Sequence, residues 1–267
     1  MNNRAIGIFD SGVGGLTVLR EIIKEVPQES TIYFGDTERF PYGPRDLEQV
    51  KNYVFKAAGF LQEKNVKMIV IACNTGSVAA LKELEERSEI PVIGVIEPGA
   101  RTAVNNTKNK RVGVIATKGT VKSGAYEKEI SRLDPGIKTF SMAAPMLIEY
   151  IEKGILEGNK LNNAIKNYLE PLLSQNIDVL VLGCTHFPLI EKQILAVSGN
   201  NIKVISSAIE TAKDVKKILA NKDLSANEGN EASRIFYETA LNSSFFKTGQ
   251  MFLGEEISGV IGTKLDV

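Results

Sequence analysis

Along the chain, short apolar runs rich in β-branched residues alternate with longer stretches in which apolar residues recur at spacings of three and four. The runs Ala5–Phe9, Thr31–Gly35, Met68–Ala72, Val92–Val95, Arg111–Ala116, Lys138–Met142, Val179–Gly183 and Lys203–Ser206 read as strands. Between them Leu16–Glu25, Asp46–Lys64, Val78–Arg87 and Lys160–Gln175 read as amphipathic helices. Strands that are apolar on both faces, separated by single helices, predict α/β architecture with mostly parallel sheets covered on both sides. The polar stretch Asn221–Asn230 reads as a surface loop, after a helix pattern resumes over Ile209–Ala220.

The pattern also echoes itself. Ile6-Gly7-Ile8-Phe9-Asp10-Ser11 resembles Val112-Gly113-Val114-Ile115-Ala116-Thr117 at an offset of 106 positions. Val70-Ile71-Ala72-Cys73-Asn74-Thr75 resembles Val181-Leu182-Gly183-Cys184-Thr185-His186 at an offset of 111. Two echoes in one order with nearly one offset predict two related, doubly wound halves. Buried parallel strands look alike by composition, so chance similarity is the alternative. Glu97-Pro98-Gly99 is the best punctuation for a first crossing between halves, and Ser206–Ala208 for a second.

Composition narrows the chemistry. Of 267 residues, 43% are hydrophobic and 24% charged, with 32 basic and 32 acidic side chains, so no nucleic-acid or membrane footprint is expected. Residues Met1 to Gly7 lack the apolar stretch of a signal peptide, and Met68–Cys73 is too short to cross a bilayer. The expectation is a cytoplasmic protein with reduced thiols. There are two cysteines and one histidine, too few for a built-in metal site, so no metal is expected. The sequence leaves the oligomeric state open, a homodimer included.

Those scarce residues sit in matched places. Cys73 and Cys184 each follow an apolar strand and precede a predicted helix, where open α/β sheets bind ligands. Backbone amides at such a helix start receive anions and favour a thiolate. Asn74, Thr75 and Ser77 are suited to cap the first of these helices. His186 stands two residues after Cys184 and can assist a thiol or bind a carboxylate. The plainer readings are a small core residue for each cysteine and an exposed or capping residue for the histidine.

Loops at the other strand ends frame the same region. In Asp10-Ser11-Gly12-Val13-Gly14-Gly15 the glycines let backbone approach a ligand and expose amides, and Asp10 either assists Cys73, reads a substrate ammonium or caps a helix. The loop matches neither a dinucleotide fingerprint nor a P-loop, and no Cys-x-x-Cys is present. Pro41-Tyr42-Gly43-Pro44 is a tight turn with an aromatic tip, a lid or mere punctuation. Thr117 and Thr120 end the strand matching that of Asp10 and are natural donors to an anion.

One thiolate accepting a proton while an opposed thiol donates one is the simplest machine for inverting a carbon bearing an acidic proton. Two facing halves deliver one cysteine to each side.

Asp10-Ser11-Gly12-Val13-Gly14-Gly15-Leu16-Thr17, Tyr33-Phe34-Gly35-Asp36-Thr37, Pro41-Tyr42-Gly43, Ala72-Cys73-Asn74-Thr75 and Leu182-Gly183-Cys184-Thr185-His186-Phe187-Pro188-Leu189 together resemble bacterial glutamate racemase. The resemblance extends to Thr248-Gly249 and Phe252-Leu253-Gly254. It implies cofactor-independent interconversion of L- and D-glutamate, supplying D-glutamate for peptidoglycan. It assigns proton removal from D-glutamate to Cys73 with Asp10, and from L-glutamate to Cys184 with His186. It implies substrate contacts from Asp10, Ser11, Pro41, Tyr42, Gly43, Asn74, Thr75, Thr117, Thr185 and His186, and a helping Glu152, with Glu149 close by and an ordinary exposed helix glutamate the alternative. The family's fold assigns residues 1–97 and 209–267 to one α/β domain and 98–208 to the other, with the active site between them. Two departures stand out: no cysteine near Ala143-Ala144-Pro145, and Ser206 where aspartate is common. An aspartate or hydantoin racemase, and a non-catalytic binding protein on the same scaffold, are the competing readings.

Overall fold

In the computed structural model, which describes residues 2–240 and 245–265, the first apolar run forms a strand with all five residues buried. Elements follow in order: β1 (Ile6–Asp10), α1 (Leu16–Glu25), β2 (Thr31–Gly35), α2 (Leu47–Glu63), β3 (Met68–Ile71), α3 (Asn74–Arg87) and β4 (Val92–Ile93). Next come α4 (Ile96–Asn106), β5 (Arg111–Ala116), α5 (Lys118–Ser123), α6 (Ala125–Leu133), β6 (Lys138–Ala143), α7 (Pro145–Glu152), α8 (Asn159–Leu173) and β7 (Val179–Gly183). The described chain ends with α9 (Glu191–Ser198), β8 (Lys203–Ser206), α10 (Ser207–Asn221), β9 (Arg234–Glu238), α11 (Phe245–Leu253) and β10 (Ile261–Gly262).

The strands make two sheets, ordered β10-β9-β2-β1-β3-β4 and β6-β5-β7-β8, with every pairing parallel. The echo in the sequence is therefore structural. β1 and β5 are the central strands of equivalent four-strand arrangements, and β3 and β7 are their equivalent neighbours. In each sheet the strand order reverses beside the central strand, and that reversal opens a crevice at the carboxyl ends. Cys73 follows β3 and Cys184 follows β7, so each thiol sits at its own sheet's crevice.

Helices cover both faces of both sheets. On one face of the first sheet Ile6, Ile8 and Val70 pack with Leu19 and Ile22 of α1 and Val215 of α10; on the other Phe9, Phe34 and Ile71 pack with Val54 and Leu61 of α2. The second sheet buries Leu180 and Leu182 against Leu147, Leu169 and Ile194, and Val112 and Val181 against Ala100 and Ile130. Each such buried Leu or Ile side chain contributes roughly 1.5–3 kcal/mol. These stacked layers make the strand ends rigid platforms for the loops they carry.

Several local expectations are corrected. Glu97-Pro98-Gly99 lies in the first turn of α4, the helix that leads from β4 of one sheet to β5 of the other, and proline is tolerated there because its missing N–H has no helical partner in any case. α3 starts at Asn74 rather than Val78, so Asn74, Thr75 and Ser77 occupy its first turn and Cys73 is the cap, accepting from the Gly76 N–H at 3.4 Å. Asn221 closes α10, and within the following loop Ala226 is buried, its N–H donating to Glu29 at 2.8 Å. β9 and β10 were not predicted. β9 begins and ends on charged residues, and β10 is a two-residue edge, so neither carries an apolar run.

Candidate active site

A cavity of about 410 Å³ takes residues from the carboxyl ends of both sheets: Ser11 after β1, Cys73 to Thr75 after β3, Thr117 after β5, and Cys184 to His186 after β7. Pro41, Tyr42 and Gly43 line it from the loop before α2, and Glu149 and Glu152 from α7. Cys73 and Cys184 are free thiols, 5% and 6% exposed, opening on one shared space.

The two thiols have unlike surroundings. Cys73 Sγ lies 3.6 Å from Ser11 Oγ and accepts from the first turn of α3. Burial, and then the charge of Asp10, push its pKa up to about 12, so this cysteine is held as a thiol. Cys184 Sγ lies 3.8 Å from His186 Nδ1, and His186 Nε2 meets Glu152 Oε1 at 2.5 Å. Burial works against a charged imidazole there. Hydrogen bonds to Cys184 and Glu152, reinforced by their charges, outweigh it and hold the ring's pKa up at about 10. Near neutral pH His186 is therefore an imidazolium, the counter-charge that a thiolate at Cys184 needs.

Asp10 is fully buried and stands behind the cavity rather than in its wall. Its carboxylate accepts from the Gly12 N–H at 2.9 Å and from Thr185 Oγ1 at 3.4 Å. Burial raises its pKa against the opposing pull of His186 and these hydrogen bonds. It caps no helix by side chain, since α1 has Gly15 at its cap.

The glycine loop reaches the cavity through Ser11. Gly12, Gly14 and Gly15 are absent from the cavity wall; they make room for protein. A Cβ on Gly14 would lie 2.4 Å from Thr185 Oγ1 and 2.6 Å from His186 Nδ1, so glycine there lets the Cys184 loop of the second sheet close onto the first. Thr17 Oγ1 donates to Thr185 O at 3.1 Å across the same seam. The tyrosine-tipped turn is no free lid. Tyr42 is buried, its hydroxyl donates to Asp36 at 2.5 Å, and Gly43 O accepts from the Gly119 N–H of the second half at 2.8 Å. Thr120 is buried behind Thr117, while Thr117 meets Thr75 across the cleft at 2.9 Å.

Of the two candidate glutamates, Glu152 touches His186 while Glu149 only lines the cavity. Phe40, Lys118, Pro145, Ile148 and Lys153 also line it and were not foreseen. Only Phe40, adjoining Pro41-Tyr42-Gly43, carried a signal; its ring packs 5.6 Å from that of His186. Among the described residues no cluster of three His, Cys, Asp or Glu side chains is disposed to hold a metal ion, and no helix is long and apolar enough to cross a membrane.

The sequence model described as Asp/Glu/hydantoin racemase matches residues 6–215. The chain belongs to that family. Among relatives of this racemase chain, the glutamate racemase of Corynebacterium diphtheriae is 45% identical over 97% of the chain and 98% of its own length. The crystal structure of a glutamate racemase isoform from Bacillus anthracis superposes with a TM-score of 0.95 at 43% identity, covering 99% of each chain. That of the Francisella tularensis enzyme, in complex with D-glutamate, gives a TM-score of 0.93 at 35% identity, covering 100% of this chain and 99% of that one. The chain is an amino-acid racemase by family, with the two-domain α/β fold of those structures.

Proposed function

We propose that the protein interconverts L- and D-glutamate without a cofactor, by a two-base mechanism using Cys73 and Cys184, and so supplies D-glutamate for peptidoglycan in the cytoplasm. The observation that carries this reading is the pair of thiols at equivalent strand ends of two sheets, opening on one cavity. Cys73 is held as a thiol, and the His186 imidazolium beside Cys184 is the charge that stabilises Cys184 as the thiolate when it acts as base. The thiolate takes the α-proton of L-glutamate. The electron pair left on carbon is delocalised into the α-carboxylate, and Cys73 gives its proton to the opposite face. D-glutamate results, with Cys73 now the thiolate and Cys184 the thiol. The reverse reaction starts from that state.

Hydrogen-bond donors on the carboxylate stabilise the intermediate, because its negative charge grows there as the proton leaves. Ser11, Asn74, Thr75, Thr117, Thr185 and the backbone of Tyr42-Gly43 supply that polar lining. Asp10 and the His186–Glu152 pair act through the two thiols. On this reading the chain divides into units of residues 1–97 with 209–267, and 98–208, which close over the substrate.

Glutamate rather than aspartate is supported by identities of 41–46% to curated glutamate racemases, whereas the aspartate racemase of Picrophilus torridus, at 22% identity and a TM-score of 0.56, shares only the fold. Polarimetric assay of each enantiomer of glutamate and of aspartate tests the reading. Turnover of both glutamate enantiomers is expected; turnover of aspartate alone contradicts it.

A further inference from the structure

Asn74 carries an unexplained feature. It is the first residue of α3, directly after Cys73, it lines the cavity, and it is only 3% exposed. Its Oδ1 accepts a hydrogen bond from the Tyr126 hydroxyl at 2.9 Å, while its Nδ2 has no partner. A buried amide nitrogen left without an acceptor is costly, and such a cost points to a group that arrives from outside. Its two N–H bonds require an acceptor, and an anionic oxygen is the strongest available.

Tyr126 holds one end of that amide, its hydroxyl donating to Oδ1. It lies on α6, in the half built on the second sheet, and is itself 1% exposed. Its ring is fixed against Gly183 and its hydroxyl against Gly99, where an added Cβ would come within 3.0 and 3.2 Å of the tyrosine. Burial, with the charge of Cys184 adding to it, holds the phenol far above its ordinary pKa, so it keeps the proton that it donates to Oδ1. The bond holds Oδ1 and leaves Nδ2 without a partner on a residue that lines the cavity. The amide turned the other way would present Oδ1 to the cavity and repel an anion.

We propose that Tyr126 is a positioning residue: its hydrogen bond across the cleft locks the Asn74 side chain so that Nδ2 receives the α-carboxylate of the amino-acid substrate. The α-carboxylate is the group concerned because Asn74 adjoins Cys73, whose sulfur must face the α-carbon. The bond joins the two halves, so this donor is correctly aimed only when they are closed together. The inference rests on the glutamate reading above and adds to it the residue that orients one binding group.

The test is steady-state kinetics of Tyr126→Phe, Asn74→Ala and the double variant, with D- and L-glutamate, on the full chain. Tyr126→Phe is expected to lower kcat/KM at least tenfold, the weight of one hydrogen bond to a charged group, through a raised KM and a lower kcat, because that bond strengthens as charge grows on the carboxylate. In the Asn74→Ala background the same substitution is expected to add nothing further, because Tyr126 acts through Asn74. A purely structural role would lower activity equally in both backgrounds. Unchanged KM in Tyr126→Phe, or an equal effect in the Asn74→Ala background, overturns the proposal. Asn74→Asp reads the same bond without touching the packing of Tyr126. One carboxylate oxygen keeps the phenol's hydrogen bond and the other replaces the free N–H₂ with negative charge. KM is expected to rise at least as far as in Tyr126→Phe, and a wild-type KM overturns the proposal whatever Tyr126→Phe does. A wild-type enzyme inert toward glutamate would instead overturn the functional reading itself.

Discussion

Cys73 and Cys184 occupy the same place in two copies of one topology, yet the chain gives them opposite company. Cys73 has a hydroxyl, a helix start and a buried carboxylate behind it; Cys184 has an imidazole backed by a second carboxylate. Symmetry of the backbone delivers two bases to one cavity, and asymmetry of the neighbours keeps the proton on Cys73 and sets a cationic imidazole beside Cys184. A symmetric pair would leave both thiols equally protonated and spend part of its population in unproductive states.

The largest effect expected is from Cys73→Ser and Cys184→Ser. Each is expected to slow racemisation by roughly a thousandfold, within the range for losing one general acid or base. Equal losses in both directions are required, since enantiomers have equal free energies and the ratio of kcat/KM values is fixed. Polarimetry with each enantiomer measures this, and wild-type rates in either variant break the two-base scheme.

His186→Asn sharpens the comparison, because it strips the Cys184 side of its counter-charge and leaves Cys73 as it was. Activity is expected to fall about a hundredfold, less than from losing the thiol. The corresponding progress curves are the check.

Gly14→Ala is expected to cost about tenfold in kcat/KM, because displacing a catalytic group by a fraction of an ångström spoils its alignment. The added methyl meets Thr185 and His186, not Cys73. Activity unchanged from wild type would show that the seam between the halves does not hold the Cys184 loop.

Much of this was legible beforehand because it is local. The eight apolar runs became eight strands, and the echo between β1 and β5 and between β3 and β7 gave the paired topology, because these four central strands are buried almost throughout and leave a strong apolar imprint. The site was visible where chemistry is rare: two cysteines and one histidine drew attention to two strand ends. Other features were illegible because they depend on contacts far apart in sequence. Nothing around Gly14 says that its neighbour is Thr185, and nothing around Tyr126 says that its hydroxyl reaches Asn74. Ile148 and Lys153 read as ordinary helix positions, and only the approach of α7 to the cavity gives them a role.

The smallest effect concerns pH. Unfolded, His186 titrates near 6.5; folded, near 10. Between those values the native state holds a proton that the unfolded chain has lost. The stability this adds is full below about 6.5 and is lost as pH rises to about 10. Cys73, raised from 9.0 to about 12, acts in the same direction above pH 9. Thermal melting is therefore expected to weaken from pH 7 to 10, and less so in Glu152→Gln, where one support of the raised histidine is removed. Equal slopes in the two proteins would contradict this.

Hydrogen exchange at the α-carbon in D₂O, followed by proton NMR in the single-cysteine variants, tests the division of labour most directly. Each remaining thiol can still remove and return a proton on its own face. Cys73→Ser is expected to exchange the α-proton of L-glutamate with retention and to leave D-glutamate untouched, while Cys184→Ser does the reverse. Exchange of both enantiomers by either variant, or of the same enantiomer by both, would contradict two opposed bases.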